Sequence, residues 1–176
     1  MGIEIERKFL IENSAMLPTL ENGVKIIQCY LPSNIWLNYW PGKKSDLVDV
    51  LADPLSSYRF RIQGDIATCT AKNSSDGPSR LEFELEIPLE SVNDIVISKI
   101  YPSIEKIRYI IPIEDNLFWE IDYFEGKNVG LIIAEIEIPN IDYRIDLPKW
   151  VGMELTGQDD VWSNKALANN PKPIQG

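Results

Sequence analysis

The first residues in the chain that could do chemistry are two carboxylates and an ammonium group at alternate positions, Glu4, Glu6 and Lys8. Successive side chains of a β-strand point to opposite faces. A strand over residues 3–11 therefore places these three groups on one face and a mostly apolar row on the other. Acids two positions apart lie ~7 Å apart (two rises of ~3.3 Å) and can share a divalent cation, and the lysine can hold an anion that this cation bridges. The alternative is an edge strand whose charged face is simply solvated.

The same alternation of charged and apolar residues recurs later in the chain. The polar residues that share a face within each later segment are Arg59 and Arg61, Lys72 with Thr68 and Thr70, Arg80 with Glu82, Glu84 and Glu86, Lys106 and Arg108, Glu120 and Asp122, and Glu135 and Glu137. A solvated sheet face mixes charge signs across neighbouring strands, because like charges directly opposite each other cost energy. Here the charges are sorted by strand, which favours a shared ligand.

Two architectures fit these rows. In a sandwich, the apolar faces meet and the ionic rows form exposed ion pairs that are each worth little. In a closed sheet, the ionic faces point inward and line a channel, while helices and loops cover the apolar outside. Such an interior must be wet, because each unpaired buried ion costs several kcal/mol. It would suit a polyphosphate that travels with Mg²⁺ or Mn²⁺, since Arg and Lys bind phosphate oxygens and carboxylates bind hard cations.

Composition narrows the classes of function. The 176 residues suffice for one domain with a core, and the net charge of −10 argues against a general nucleic-acid binder. No apolar run is long enough to span a bilayer and no signal-peptide pattern is present, so we expect a cytoplasmic protein without a membrane partner. Histidine is absent, which excludes Ser-His-Asp triads, His-ligated zinc and His general bases. Cys29 and Cys69 are too few for a disulfide framework and are expected to be buried.

The elements that must position these residues follow from the alternation and from the turn residues. Strands are predicted over residues 3–11, 24–31, 58–62, 67–72, 80–87, 106–111, 118–124 and 131–138. Turns are predicted at 64–65, 73–79 and 125–128. Helices are predicted at 89–100, with Ser91 as N-cap, and at 161–168, which carries Lys165.

The remaining segments are less regular. Residues 12–21 indicate a loop, residues 150–156 a short extra segment, and the chain from residue 169 is expected to be loose. Residues 32–57 contain Trp36, Tyr39 and Trp40, with a helical turn only at 46–52. An aromatic loop of this length is either a lid or a packing patch.

The segment Glu4-Ile5-Glu6-Arg7-Lys8 is similar to the Glu-x-Glu-x-Lys signature of the CYTH superfamily, the triphosphate tunnel metalloenzymes. The later segments that match the family's order are Tyr58-Arg59-Phe60-Arg61, Thr70-Ala71-Lys72, Arg80-Leu81-Glu82-Phe83-Glu84, Lys106-Ile107-Arg108-Tyr109, Trp119-Glu120-Ile121-Asp122 and Ala134-Glu135-Ile136-Glu137-Ile138-Pro139. The ordered set spans nearly the whole chain and resembles a short bacterial-type member. It implies a mainly β (α+β) fold in one domain over residues 1–176: a closed antiparallel β-barrel of about eight strands that forms a tunnel, with a few peripheral helices.

The resemblance also implies a role for each matched residue. The metal-binding carboxylates would be Glu4, Glu6, Glu135 and Glu137, with Mg²⁺ or Mn²⁺ as the cofactor. The phosphate ligands would be Lys8, Arg59, Arg61, Lys72, Arg80, Lys106, Arg108 and, from a loosely matching end of the chain, Lys165. The catalytic residues would be Lys8, Lys106, Arg108 and two acids near the metal or the attacking water, Glu120 and Asp122. Glu82 and Glu84 would be further tunnel acids, and residues 33–57 an insert longer than short bacterial members need.

The function that the resemblance implies is metal-dependent hydrolysis of a small-molecule triphosphate. Inorganic tripolyphosphate is the expected substrate, and a monomer or homodimer the expected assembly. Alternatives of the same fold are a thiamine triphosphatase and an adenylate cyclase, for which Trp36, Tyr39 and Trp40 could stack on a base. Alternatives of another class are a non-catalytic module that binds polyphosphate or nucleotide and a plain structural β domain.

Overall fold

The structure is a computed structural model that describes residues 2–74 and 79–175. The strands of this part of the chain are β1 (Gly2–Leu10), β2 (Val24–Tyr30), β3 (Ser57–Gln63), β4 (Ile66–Lys72), β5 (Ser79–Ile87), β6 (Ser103–Pro112), β7 (Phe118–Phe124) and β8 (Ile132–Glu137). They close into an antiparallel barrel in the order β1-β5-β4-β3-β2-β6-β7-β8. The prediction of a closed antiparallel barrel of about eight strands is confirmed, and the sandwich alternative is wrong.

The strand register decides which residues share the interior. β1 pairs with β8 so that Glu6 lies opposite Glu137 and Lys8 opposite Glu135. Residues directly opposite each other in an antiparallel pair point to the same face. Closing the sheet therefore brings the ionic rows of neighbouring strands to one side, the inside. The alternate apolar residues point outward.

Two apolar clusters cover the outside of the barrel. One cluster holds α3 (Leu89–Ser98) against the barrel through Val92 and Val96. Cys29 and Cys69 belong to this cluster, and the prediction that both are buried is confirmed. The other cluster is built on outward residues of β1, β7 and β8. Because the apolar residues are buried outside the barrel, its interior is left to polar groups.

Residues 32–57 form a packing patch on the outer wall. They contain α1 (Ser33–Trp36), a 3-10 turn (Lys44–Leu47) and α2 (Val48–Ala52). Trp36 is completely buried, stacks on Trp40 with ring centroids 5.1 Å apart, and donates from Nε1 to a backbone oxygen of β3 at 3.2 Å. The aromatic residues therefore pack and do not form a lid. α1 escaped prediction because a single turn has no periodic pattern.

The helix predicted at 161–168 is two helices, α4 (Asp159–Trp162) and α5 (Asn164–Asn169). Ser163 between them has extended backbone angles, φ −64° and ψ 155°, and its Oγ accepts a hydrogen bond from the N–H of Ala166 at 3.0 Å. Ser163 is thus the N-cap that starts α5. A serine that bonds the backbone in this way interrupts a continuous helix.

The N-cap predicted for α3 is also wrong. The helix begins at Leu89 with Pro88 as its N-cap residue, and the hydroxyl of Ser91 donates to the backbone oxygen of Pro88 at 2.6 Å. Ser91 therefore lies inside the first turn. The helix ends two residues before the predicted boundary, because Lys99 adopts a left-handed conformation with φ 56°.

The segment over residues 150–156 extends the barrel wall. The N–H of Leu10 donates to the backbone oxygen of Met153 at 2.8 Å, and the N–H of Leu155 donates to that of Lys8 at 2.8 Å. β5 pairs only with residues 2–5 of β1. The segment thus provides backbone hydrogen-bond partners for the second half of β1, which β5 does not pair with.

The chain after α5 is tied down, contrary to the expectation of a loose tail. The N–H of Lys172 donates to Asn128 Oδ1 at 2.7 Å, and the N–H of Ile174 donates to the backbone oxygen of Val129 at 3.0 Å. The turn at 64–65 is present, with Gly64 at φ 60°, whereas most of the turn predicted at 73–79 lies outside the described residues. None of the described helices has the length and apolar character needed to cross a membrane.

Candidate active site

A cavity of about 960 Å³ occupies the interior of the barrel. The residues predicted for the site that line this cavity are Glu4, Glu6, Lys8, Arg59, Arg61, Lys72, Arg80, Glu82, Glu84, Arg108, Glu120, Glu135, Glu137 and Lys165. Seven of the eight strands contribute at least one of them, and α5 contributes Lys165. The ionic rows therefore share one chamber and do not face bulk solvent separately.

Lys106 and Asp122 are the predicted site residues that do not line the cavity. Both are completely buried, and Lys106 Nζ lies 2.7 Å from Asp122 Oδ2. Asn164 at the start of α5 accepts a further bond from Lys106 Nζ at 3.4 Å. α5 thus helps to bury this pair, and the role of Lys106 as a phosphate ligand stays a prediction.

The buried pair instead holds Arg108, which does reach the cavity. Arg108 donates to Asp122 from Nε at 2.7 Å and from Nη2 at 2.8 Å, and it pairs with Glu120 through Nη1. Burial opposes ionisation of Asp122, but Lys106 and Arg108 outweigh it and lower the pKa of this carboxyl. Asp122 therefore fixes the orientation of Arg108 as a bidentate acceptor.

Arg59 and Arg61 of β3 form the basic side of the cavity. Arg61 donates from Nε to Gln28 Oε1 at 2.9 Å, and Arg59 Nη2 lies 3.5 Å from Glu84 Oε1. Burial, with the charges of Arg59 and Arg108, lowers the pKa of Arg61 to about 10. The group is still charged at neutral pH, and the neighbouring guanidinium groups favour a ligand with several negative charges.

Glu4, Glu6 and Glu137 form an acidic patch where β1 meets β8. Burial and the carboxylates of Glu135 and Glu4 raise the pKa of Glu6, and burial with Glu4 and Glu6 raises that of Glu137. Lys72 Nζ offsets part of this charge by donating to Glu4 Oε2 at 2.7 Å. A divalent cation relieves such repulsion, and carboxylate oxygens are ligands that Mg²⁺ and Mn²⁺ prefer.

The donor types of the acidic patch fit a divalent cation, but a finished coordination shell is not preformed. Across residues 2–74 and 79–175, no group of three or more Asp, Glu, Cys or His side chains is arranged to hold a metal ion. The four predicted metal ligands lie on adjacent strands, since β1 pairs with β8.

Glu135 stands between the acidic patch and the cations. Lys8 Nζ lies 3.5 Å from Glu135 Oε1. Burial opposes ionisation of Glu135, but Lys8, Lys106 and Arg108 outweigh it and lower its pKa. Glu120 differs, since burial together with Glu135 raises its pKa in spite of Arg108. The pKa values of two neighbouring carboxyl groups are thus shifted in opposite directions, which is common in catalytic sites.

An apolar cluster next to the cavity, which Tyr30 joins to the cavity lining and which we call the floor, was missed by sequence reasoning. Its buried members are Leu10, Tyr30, Ile104, Phe124, Leu131, Ile133, Leu155 and Leu167. A signal for it existed in the sequence. Several of these residues continue the ionic rows two positions further along the strand: Leu10 after Lys8, Phe124 after Asp122, Ile133 before Glu135 and Ile104 before Lys106. Each of these rows becomes apolar at the end of the barrel where α5 packs, since Leu167 of α5 belongs to the same cluster.

The segment that carries α4 and α5 was also underestimated, because it supplies oxygen atoms to predicted phosphate ligands. Asp159 Oδ2 lies 2.8 Å from Arg80 Nη2, and Lys8 Nζ donates to the backbone oxygen of Trp162 at 3.4 Å. Asp159 itself lines the cavity. This segment therefore positions Arg80 and Lys8 through these contacts.

No family model matches the sequence. The chain is 37% identical to an inorganic triphosphatase of Acetivibrio thermocellus over 174 residues, which cover 97% of this chain and 96% of that protein. The chain belongs to the inorganic triphosphatase family. A second member, the inorganic triphosphatase of Nitrosomonas europaea, is 31% identical over 94% of this chain and 96% of its own length.

Solved structures agree with this family assignment. The crystal structure of an inorganic triphosphatase superposes on 99% of this chain and 99% of its own, with a TM-score of 0.62 and 27% sequence identity. A Hippeastrum protein described as an adenylyl cyclase with a dominant triphosphatase activity matches 78% of this chain with a TM-score of 0.51 at 17% identity. The second likeness concerns the fold alone.

Proposed function

We propose that this member of the inorganic triphosphatase family hydrolyses inorganic tripolyphosphate with Mg²⁺ or Mn²⁺, as a single-domain tunnel enzyme of the CYTH type. One observation carries the proposal: the sorted ionic rows converge on one cavity inside a closed barrel. The family relationship over nearly the whole chain supports it. The convergence is what an anhydride hydrolase needs, because phosphoryl transfer is catalysed mainly by positioning and charge neutralisation.

The basic side chains of the cavity would bind and orient the phosphate chain. Arg59, Arg61, Arg80 and Lys72 are the proposed ligands along the tunnel. Arg108 would contact the phosphate that is attacked, since Asp122 fixes its guanidinium in a bidentate contact. Each guanidinium group can bind two phosphate oxygens at once, so several of them together would restrict the phosphate chain to one orientation.

The acidic side chains would hold the metal and the water. Glu4, Glu6, Glu135 and Glu137 are the proposed metal ligands. A divalent cation bound there would neutralise phosphate oxygens and lower the pKa of bound water. Glu120, whose pKa is raised, would accept a hydrogen bond from the attacking water, and Lys8 beside Glu135 would stabilise charge on the leaving phosphate.

The alternatives of the same fold are less well supported. Trp36, Tyr39 and Trp40, the aromatic residues that could have stacked on a nucleotide base, pack against the outer wall. They are not at the cavity. This placement favours an inorganic chain over a nucleotide as the substrate.

Phosphate release from tripolyphosphate, ATP and thiamine triphosphate tests the proposal, each measured with Mg²⁺, with Mn²⁺ and with a chelator. We expect metal-dependent release that is fastest with tripolyphosphate. Faster release from thiamine triphosphate or cyclic AMP formation from ATP would point to the alternatives. Tight binding of all three without any release would indicate a non-catalytic module.

A further inference from the structure

Asn128, in the turn between β7 and β8, is almost completely buried although it does not line the cavity. Its Nδ2 donates to the backbone oxygen of Leu167 at 3.1 Å, and its Oδ1 accepts from the N–H of Lys172 at 2.7 Å. Both partners are backbone groups with fixed roles, so only one orientation of the amide satisfies them. Asn128 therefore joins α5, and the chain that follows α5, to the end of the barrel.

α5 depends on such contacts because it is short. A helix of six residues is marginal by itself in water, and its last carbonyl groups have no partner inside the helix. Asn128 satisfies one of them, the carbonyl of Leu167, whose side chain is completely buried in the floor. The bond from Asn128 thus fixes the end of α5 at the point where the helix packs.

The chain after α5 lies tightly on the same turn. We call residues 171–175 the C-terminal strap. The N–H of Ile174 in this strap donates to the backbone oxygen of Val129 at 3.0 Å. The next residue is Gly130, at φ 89°, where a Cβ would clash with the backbone oxygen of Ile174. The turn and the strap therefore fit closely enough to hold α5 from outside the cavity.

The helices held in this way contact two cations of the cavity. Asp159 Oδ2 in α4 lies 2.8 Å from Arg80 Nη2, and the backbone oxygen of Trp162 accepts from Lys8 Nζ at 3.4 Å. Lys8 also pairs with Glu135, whereas Asp159 is the only ion-pair partner that the described part of the chain gives to Arg80. A displacement of the two helices would therefore affect Arg80 more than Lys8.

We propose that Asn128 is a positioning residue for the reaction: it holds α4 and α5 so that Asp159 keeps Arg80 aimed at the phosphate chain. The inference rests on the proposed function for the identity of the ligand. A guanidinium group binds two phosphate oxygens only when its plane is correctly oriented, so a loosened Arg80 binds the chain less tightly. The proposal gives a role in substrate binding to a turn and a strap that do not line the cavity.

The substitution Asn128→Ala removes both side-chain hydrogen bonds. It should raise KM for tripolyphosphate about 3- to 10-fold, with kcat changing less, because Arg80 binds the phosphate chain and does not itself react. The dissociation constant for tripolyphosphate, measured by calorimetry with a chelator present, should rise by a similar factor. Amide hydrogen exchange should become faster in residues 159–170 and stay unchanged in β3 and β4.

Two controls separate positioning from a general loss of stability. Asn140 also accepts from a backbone N–H, that of Asp142, but it is exposed, so Asn140→Ala should leave KM unchanged. Val92 of α3 is completely buried on the outer wall, so Val92→Ala should lower the melting temperature and leave KM unchanged. If Val92→Ala raises KM as much as Asn128→Ala does, lost stability explains the effect and the positioning role is wrong.

A second variant, Asn128→Asp, keeps the volume of the side chain and the bond from Lys172. It loses the donor to Leu167 and places a carboxylate oxygen against that carbonyl group. KM and the dissociation constant should rise at least as much as in Asn128→Ala. If both constants and the hydrogen exchange of residues 159–170 keep their wild-type values in this variant, Asn128 does not position the site.

A double-mutant cycle with Asp159 tests the route to Arg80. The Asp159→Asn background has already lost the ion pair with Arg80, so Asn128→Ala should raise KM there much less than in the wild type. An equal rise in both backgrounds would mean that Asn128 does not act through Asp159. If the wild-type protein binds tripolyphosphate but releases no phosphate, the proposed function fails, and the dissociation constants still decide whether Asn128 positions the anion site.

Discussion

The negative charge of Glu6 is expected to lower the stability of the metal-free protein and to be needed for metal binding. Burial and the carboxylates of Glu135 and Glu4 raise its pKa, so its charge destabilises the metal-free fold. Glu6→Gln should therefore melt at the same temperature as the wild type or higher in a chelator. It should also lower metal-dependent hydrolysis roughly 100-fold or more, since the loss of even an outer-sphere partner of a metal can cost this much. Full activity in this variant would contradict the metal assignment, and Glu105→Gln, outside the cavity, is the control.

We expect Lys106 to stabilise the fold through its buried ion pair with Asp122. Lys106→Met would leave the buried carboxylate of Asp122 with Arg108 alone, and breaking a buried pair costs about 3 kcal/mol or more. Urea unfolding should report this loss. Lys25→Met, which removes an exposed pair with Glu125, should change the free energy of unfolding by less than about 1 kcal/mol. Similar losses of unfolding free energy in the two variants would show that the buried pair stabilises the fold no more than the exposed pair does.

The two thiols should make stability depend on alkaline pH. Burial raises the pKa of Cys29 to about 11 and that of Cys69 to about 12. In the unfolded chain, thiols ionise near pH 8.5. Above that pH, the unfolded chain loses the thiol protons before the folded protein does, so the free energy of unfolding falls as the pH rises toward 11 and 12. The urea midpoint should fall above pH 9, and less steeply in Cys69→Ala. In native protein at pH 8, neither thiol should react with an aromatic disulfide reagent, and rapid labelling would contradict the burial.

At the level of elements, the cap between α4 and α5 offers a comparison of two serines. Ser163 caps α5 through its Oγ, whereas Ser91 lies within the first turn of α3. Ser163→Ala should lower the free energy of unfolding by about 1 kcal/mol, and Ser91→Ala by less than about 0.5 kcal/mol. Thermal or urea unfolding of both variants measures the difference. The reverse order of effects would contradict the division of this helical segment at Ser163.

The same helical segment connects stability with the site. Asp159 of α4 pairs with Arg80, and Asn164 of α5 contacts Lys106. Loss of the cap should therefore loosen the hold on Arg80 and raise KM as well as lower stability. An element that looked peripheral in the sequence closes the floor of the cavity.

For the molecule as a whole, the cavity carries a cluster of cationic side chains on one side, among them Arg59 and Arg61, although the net charge of the chain is −10. Tripolyphosphate should raise the melting temperature even in a chelator. At 100 times the dissociation constant, the gain is about 2.7 kcal/mol, or roughly 5–10 °C for a chain of this size. Sulfate at matched ionic strength is the control and should have a smaller effect. A lower melting temperature with tripolyphosphate would mean that the negative net charge dominates.

Much of the site could be predicted from the sequence because side chains in a strand alternate strictly. This period alone assigned Glu4, Glu6 and Lys8 to one face of β1, and Arg59 and Arg61 to one face of β3. It could not say how deep each residue lies along the barrel axis. Lys106 and Arg108 share a face, but only Arg108 reaches the cavity, because α5 covers the end of the barrel where Lys106 lies.

The sequence by itself determined the two faces of each strand and the sorting of charges among strands, since both depend on neighbours along the chain. The tertiary structure decided that the ionic face points inward, because only closure of β1 against β5 and β8 distinguishes the inside of a sheet from its outside. It also decided the hydrogen bonds of Gln28, Tyr30 and Asp122, which join residues on the same or neighbouring strands in directions that residue types leave open.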